Sequence, residues 1–105
     1  MSWTVETLLK WARKATEVFQ NQFGSLWTPQ AQINHTFTEV AELNQVLRHR
    51  EPKEKIAEEI WDIVFSAITN AHVLGISDQE LIYAFNRVTK KFEERMKNNH
   101  YAKRD

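Results

Sequence analysis

The sequence predicts an all-α protein, a bundle of four helices joined by short connections. Three observations support this. Apolar residues recur every three or four positions in four separate stretches, the spacing that places them on one side of a helix. Only 2 Gly and 2 Pro occur in 105 residues, and they fall between those stretches, not inside them. No stretch alternates in the manner of a strand, and no internal repeat or low-complexity segment is present.

In the first helix Leu8, Ala12, Ala15 and Phe19 share a face, and Gly24 ends the pattern. Thr28-Pro29 opens the second, with the threonine as N-cap and the proline at the first helical position, where its missing N–H costs nothing. That helix extends to about Arg48, and Arg50-Glu51-Pro52 breaks it. A third runs from about Lys53 to Leu74, with Gly75 as C-terminal cap. Ser77-x-x-Glu80 is a capping box that opens the fourth. Leu81, Phe85, Val88 and Phe92 form its apolar face, and a polar tail from about residue 97, KNNHYAKRD, is expected to fray. The whole chain, 1–105, reads as a single helical domain.

Hydrophobic residues make up 42% and charged residues 27%, which fits a folded globular domain and not a disordered one. Lys+Arg and Asp+Glu both total 14, so no global field recruits nucleic acid or an anionic membrane. The absence of cysteine rules out disulfides and thiolate metal sites and is compatible with a cytoplasmic location. No apolar run reaches the ~18 residues of a membrane span, and MSWTVETLLK lacks a signal-peptide layout. A domain this short gains stability from a partner chain, so a homo-oligomer is expected.

Two acid pairs interrupt the apolar stretches: Glu39-x-x-Glu42 on the second helix and Glu59-x-x-Asp62 on the third. Residues three apart lie about 60° apart around a helix, so each pair presents its carboxylates together. On the second helix the acids share a stripe with Gln32, His35, Leu43 and Val46; on the third, with Ser66 and Asn70. The short break at Arg50–Pro52 favours an antiparallel hairpin that sets the two pairs facing each other. Four convergent carboxylates repel unless a cation lies between them, and desolvating even one unpaired carboxylate costs several kcal/mol. A shared metal site follows. An all-carboxylate shell selects hard cations, Mg²⁺ first and Mn²⁺ next, and Mg²⁺ is usually completed by water and substrate phosphate oxygens. His35, one turn before Glu39, could ligate, orient water or contact substrate. Trp61 lies on a second apolar wedge of the third helix, with Val64, Phe65 and Ile68, roughly opposite the acids; it is expected at a subunit interface.

At these residues the chain resembles the MazG-like nucleotide pyrophosphohydrolases. The pattern of that family is an EExxE helix, an ExxD helix, and a Gly-bounded last helix with a Lys-Phe-x-x-Arg-like element. The corresponding text here is TEVAELNQVL, EEIWDIVF, LGISDQEL and KKFEER, from Trp27 to Arg95. The resemblance implies Mg²⁺-dependent cleavage of a nucleoside triphosphate between the α and β phosphates, and a dimer or tetramer with sites near subunit junctions. Glu39, Glu42, Glu59 and Asp62 would be the metal ligands, and Lys91 and Arg95 the basic groups that meet the triphosphate. One departure stands out: Thr38 occupies the position of the family's first Glu. Trp27, with Phe23 and His35 nearby in sequence, is the candidate for base stacking; otherwise it staples the start of the second helix. Nucleotide pool cleaning is the expected role. A phosphoribosyl-ATP pyrophosphatase is the neighbouring alternative, but its third-helix Tyr-His pair is missing from DIVFSA. A non-enzymatic helical adaptor that kept the fold is the alternative of a different class.

Overall fold

The computed structural model describes residues 4–24 and 27–98, and the polar tail beyond falls outside the described residues. Four helices follow in order: α1 (Val5–Phe23), α2 (Pro29–Arg48), α3 (Lys53–Val73) and α4 (Asp78–Lys97). The described residues contain no strand. Among them, no helix is long and apolar enough to cross a membrane.

The helix ends are set by local chemistry. Thr4 and Thr28 accept from the backbone N–H groups of Thr7 and Ala31 at 3.2 and 3.1 Å, relieving orphan donors at the starts of α1 and α2. At α4 the capping box forms in both directions: Ser77 Oγ accepts from Glu80 N at 3.1 Å, and Glu80 Oε1 accepts from Ser77 N at 2.9 Å. α2 and α3 end alike. Glu51 N donates to Val46 O and Arg50 N to Leu47 O; Ile76 N donates to Ala71 O and Gly75 N to His72 O. Each is a Schellman closure, which needs a left-handed residue at its turn. Gly75 (φ 78) supplies it for α3, and Arg50 (φ 53) is forced into it for α2.

α2 and α3 pack most closely and run antiparallel, because Gln32 meets Ser66 while Glu39 meets Glu59 further along. α1 lies chiefly against α3, and α4 chiefly against α1. Arg13 on α1 grips Asp78 with two hydrogen bonds of 2.7 and 3.3 Å, and His72 Nε2 lies 3.2 Å from the same carboxylate.

The interior differs from the one expected. Leu9, Ala12 and Ala71 are the buried apolar side chains, against buried Thr16, Gln32, Glu59, Ser66 and Thr69. On α1 the inward stripe is therefore Leu9, Ala12 and Thr16, not Leu8, Ala12 and Ala15. Thr16 is accommodated because its hydroxyl donates to Ala12 O at 2.8 Å. On α3 Glu59 and Ser66 of the polar stripe are buried while Asp62 is exposed, and much of the apolar surface faces out: Trp61 is 55% exposed and Leu74 60%. α4 has no buried residue, and Phe85, Val88 and Phe92 on its apolar face are all exposed. The radius of gyration is 16.3 Å, against about 13 Å for a compact domain of this length.

Candidate active site

α2 and α3 bring Glu39, Glu42 and Glu59 together, with one carboxylate oxygen from each lying within 4.8 Å of the others. The facing of the two helices produces this meeting, since Glu59 comes from the opposite side of the hairpin. Glu39 and Glu59 are inward-facing, with side chains only 13% and 8% exposed, whereas Glu42 lies on the rim. Each inner carboxylate is half satisfied by its own helix. Glu39 Oε1 lies 3.1 Å from His35 Nε2, and Glu59 Oε1 lies 3.4 Å from Lys55 Nζ. The other oxygen of each, Oε2, is buried without a hydrogen-bond partner.

Two orphaned anionic oxygens in an interior cost several kcal/mol unless a cation meets them. Burial pushes the Glu39 carboxyl above the ordinary carboxylate range; Glu42, Asp62 and Glu59 push the same way, against a pull from His35. Hard oxygen donors, converging and unpaired, fit a hard divalent cation. Asp62 stands beside this group and outside it. It borders the same slot as Glu39 and, on its other side, a shallow groove with Glu58 and Glu59. Thr38 is exposed, and its hydroxyl donates to Asn34 O on its own helix at 3.2 Å.

The slot beside the acids has a volume of about 470 Å³ and is bordered by Trp11, Phe19 and Phe65 as well as Gln32 and His35. Trp27 is not among its lining residues. Its indole stacks on Phe19 and Phe23 at centroid distances of 5.3 and 5.5 Å, and Nε1 is buried without a partner. Trp27 thus packs α1 onto the start of α2, and the slot draws its aromatic walls from Trp11, Phe19 and Phe65. Lys91 and Arg95 do not border the slot. Lys91 lies in a shallow depression of α4 with Tyr83 and Arg87, and the Arg95 guanidinium sits 5.9 Å from the Phe92 ring.

A profile of the MazG nucleotide pyrophosphohydrolase domain matches residues 27–100. The chain belongs to the MazG nucleotide pyrophosphohydrolase family. No curated protein and no solved structure matches it. The MazG match begins at Trp27, so α1, which supplies Trp11 and Phe19 to the slot, lies before it. Sequence reasoning noted Gln32, Ser66 and Asn70 as members of the polar stripes but gave them no task. Their meeting was signalled by the shared register of those stripes with the acids. Trp11 and Phe65 carried no such signal.

Proposed function

We propose that this chain is a Mg²⁺-dependent nucleoside triphosphate pyrophosphohydrolase that splits the α–β anhydride with water, giving a nucleoside monophosphate and pyrophosphate. The observation that carries this reading is the pair of buried, unpaired carboxylate oxygens on Glu39 and Glu59, with Glu39 itself bordering the aromatic-walled slot. Glu39, Glu42 and Glu59 hold the cation, with Asp62 completing the set from the slot side. When bound, a divalent cation neutralises phosphate oxygens and acidifies water. His35 fixes the Glu39 carboxylate through Oε1, and Lys55 does the same for Glu59, so each Oε2 keeps its direction. The slot receives the base and sugar.

Lys91 and Arg95 would reach the triphosphate from α4 of a second copy of the chain, in a dimer or tetramer. The exposed Phe85, Val88 and Phe92 of α4 and Trp61 of α3 support that assembly. Exposed apolar patches of this kind mark interaction surfaces. A role in clearing unwanted nucleotides from a cytoplasmic pool is consistent with the site.

The decisive experiment is a panel of ribo- and deoxynucleoside triphosphates assayed for pyrophosphate release, with Mg²⁺ and with chelator. Wild type is expected to release pyrophosphate only with the metal, and Glu42→Ala and Asp62→Ala to abolish it while remaining helical. A wild type inert on every nucleotide, yet folded and oligomeric, would replace the enzyme with an adaptor.

A further inference from the structure

Gln32 is the most buried polar side chain of the slot, 1% exposed, and its amide is half used. Nε2 donates to Ser66 O at 2.9 Å and to Ser66 Oγ at 3.1 Å. A backbone carbonyl can only accept, so this contact fixes which end of the amide is nitrogen. Oε1 is left buried with no partner.

The surrounding hydroxyls cannot supply one. Thr36 donates its single proton to Gln32 O at 3.1 Å, so in the 2.8 Å contact between Thr36 and Ser66 the serine must be the donor. Thr36 Oγ1 also accepts from Asn70 Nδ2 at 2.8 Å. The Thr69 hydroxyl is spent on Phe65 O. The amide and hydroxyl groups of the slot therefore offer an acceptor and no free donor. Gln32 borders the slot, so a ligand group that enters it and displaces the side chains now covering Oε1 gains an acceptor that no protein donor uses.

We infer that Gln32 Oε1, held by Ser66, reads the nucleobase and selects nucleotides whose base carries an exocyclic amino group over those with a carbonyl oxygen in its place. This rests on the pyrophosphohydrolase reading and specifies its substrate class. An amino group donates to Oε1 and satisfies it. A carbonyl at the same position sets lone pair against lone pair and leaves two buried acceptors unpaired, which is where hydrogen-bonding sites discriminate most strongly. Cytosine and uracil are one such pair, and adenine and hypoxanthine another. Gln32 is a binding residue here, and Ser66 a positioning residue.

Titration calorimetry of the full chain with dCMP, dUMP, AMP and IMP tests this without any chemical step, and pyrophosphate release from the four triphosphates runs alongside. The expected result is about a 10- to 100-fold preference for the amino member of at least one pair. That preference is expected to fall to within about threefold in Gln32→Met. Ser66→Ala, which frees one Nε2 proton to meet a carbonyl, is expected to narrow it several-fold. The wild-type ratio decides the matter even if Gln32→Met fails to fold. Equal binding of amino and carbonyl members, with pyrophosphate still released, would overturn this inference and leave the enzyme reading intact. Failure to bind or hydrolyse any of them would remove both.

Discussion

Replacing Glu39 or Glu59 by glutamine removes one charge from a cluster whose ligand oxygens lie within 4.8 Å of one another. At that separation a carboxylate pair repels by about 1 kcal/mol at the dielectric constant of water and about 3–4 kcal/mol at an effective value near 20. Glu42 is on the rim, and the variants also forfeit the local pairing with His35 or Lys55, an offset of about 0.3–0.5 kcal/mol. A net gain of ~1–2 kcal/mol in metal-free stability is the expected result, or roughly 5–10 °C in Tm for a domain of this size.

With Mg²⁺ the order reverses. A cation at a hundred times its Kd stabilises the wild type by about 2.7 kcal/mol, and the variants lose most of that. The assay is thermal melting by circular dichroism at fixed protein concentration, with Mg²⁺, Mn²⁺ or chelator at matched ionic strength. The pH dependence has a definite sign. The raised Glu39 pKa means that its contribution to metal-free stability is complete below its unfolded-state value and is lost as pH rises through the folded-state value. Metal affinity runs the other way and weakens as Glu39 takes its proton. Equal metal-induced shifts in wild type, Glu39→Gln and Glu59→Gln would refute the reasoning.

The two Schellman turns make opposite predictions. Gly75→Ala is expected to cost about 1 kcal/mol in urea unfolding because φ is positive there, whereas Arg50→Gly is expected to gain about 0.5–1 kcal/mol. Asp78 is held below the ordinary carboxylate range chiefly by its hydrogen bond to Arg13, helped by His72. Its contribution is present above its unfolded-state pKa and lost as pH falls through the depressed folded value. Asp78→Asn is expected to cost about 1–2 kcal/mol at neutral pH, reduced by the partial exposure of the pair. Most of that loss should vanish in strong acid, as read from unfolding midpoints across a pH series. Trp61→Glu is expected to dissociate the proposed oligomer by placing a charge on its exposed apolar surface, and an unchanged mass in light scattering would count against Trp61 as an interface residue.

The sequence by itself determined the helices and their ends. Caps, prolines and glycines act within a few residues, so Thr28, Pro52, Gly75 and Ser77 could be read without knowing what packs where. The left-handed turn at Arg50 was not legible as such, because the residue type gives no sign of it. Helical spacing also put Glu39 and Glu42 on one stripe, and Glu59 and Asp62 on another.

Which stripe turns inward was a tertiary decision. Apolar side chains on α3 and α4 outnumber the inner positions that one chain can offer, so periodicity alone could not tell a core from an interface. The hairpin register chose Glu39, Glu42 and Glu59 as the converging three and left Asp62 beside them, since oxygens meet across helices by distances that no wheel records. The same register laid Gln32 against Ser66, 34 positions along the chain, using up one end of an amide and orphaning the other. A hydrogen bond between distant residues needs the fold first, and so does any site made of what such a bond leaves unpaired.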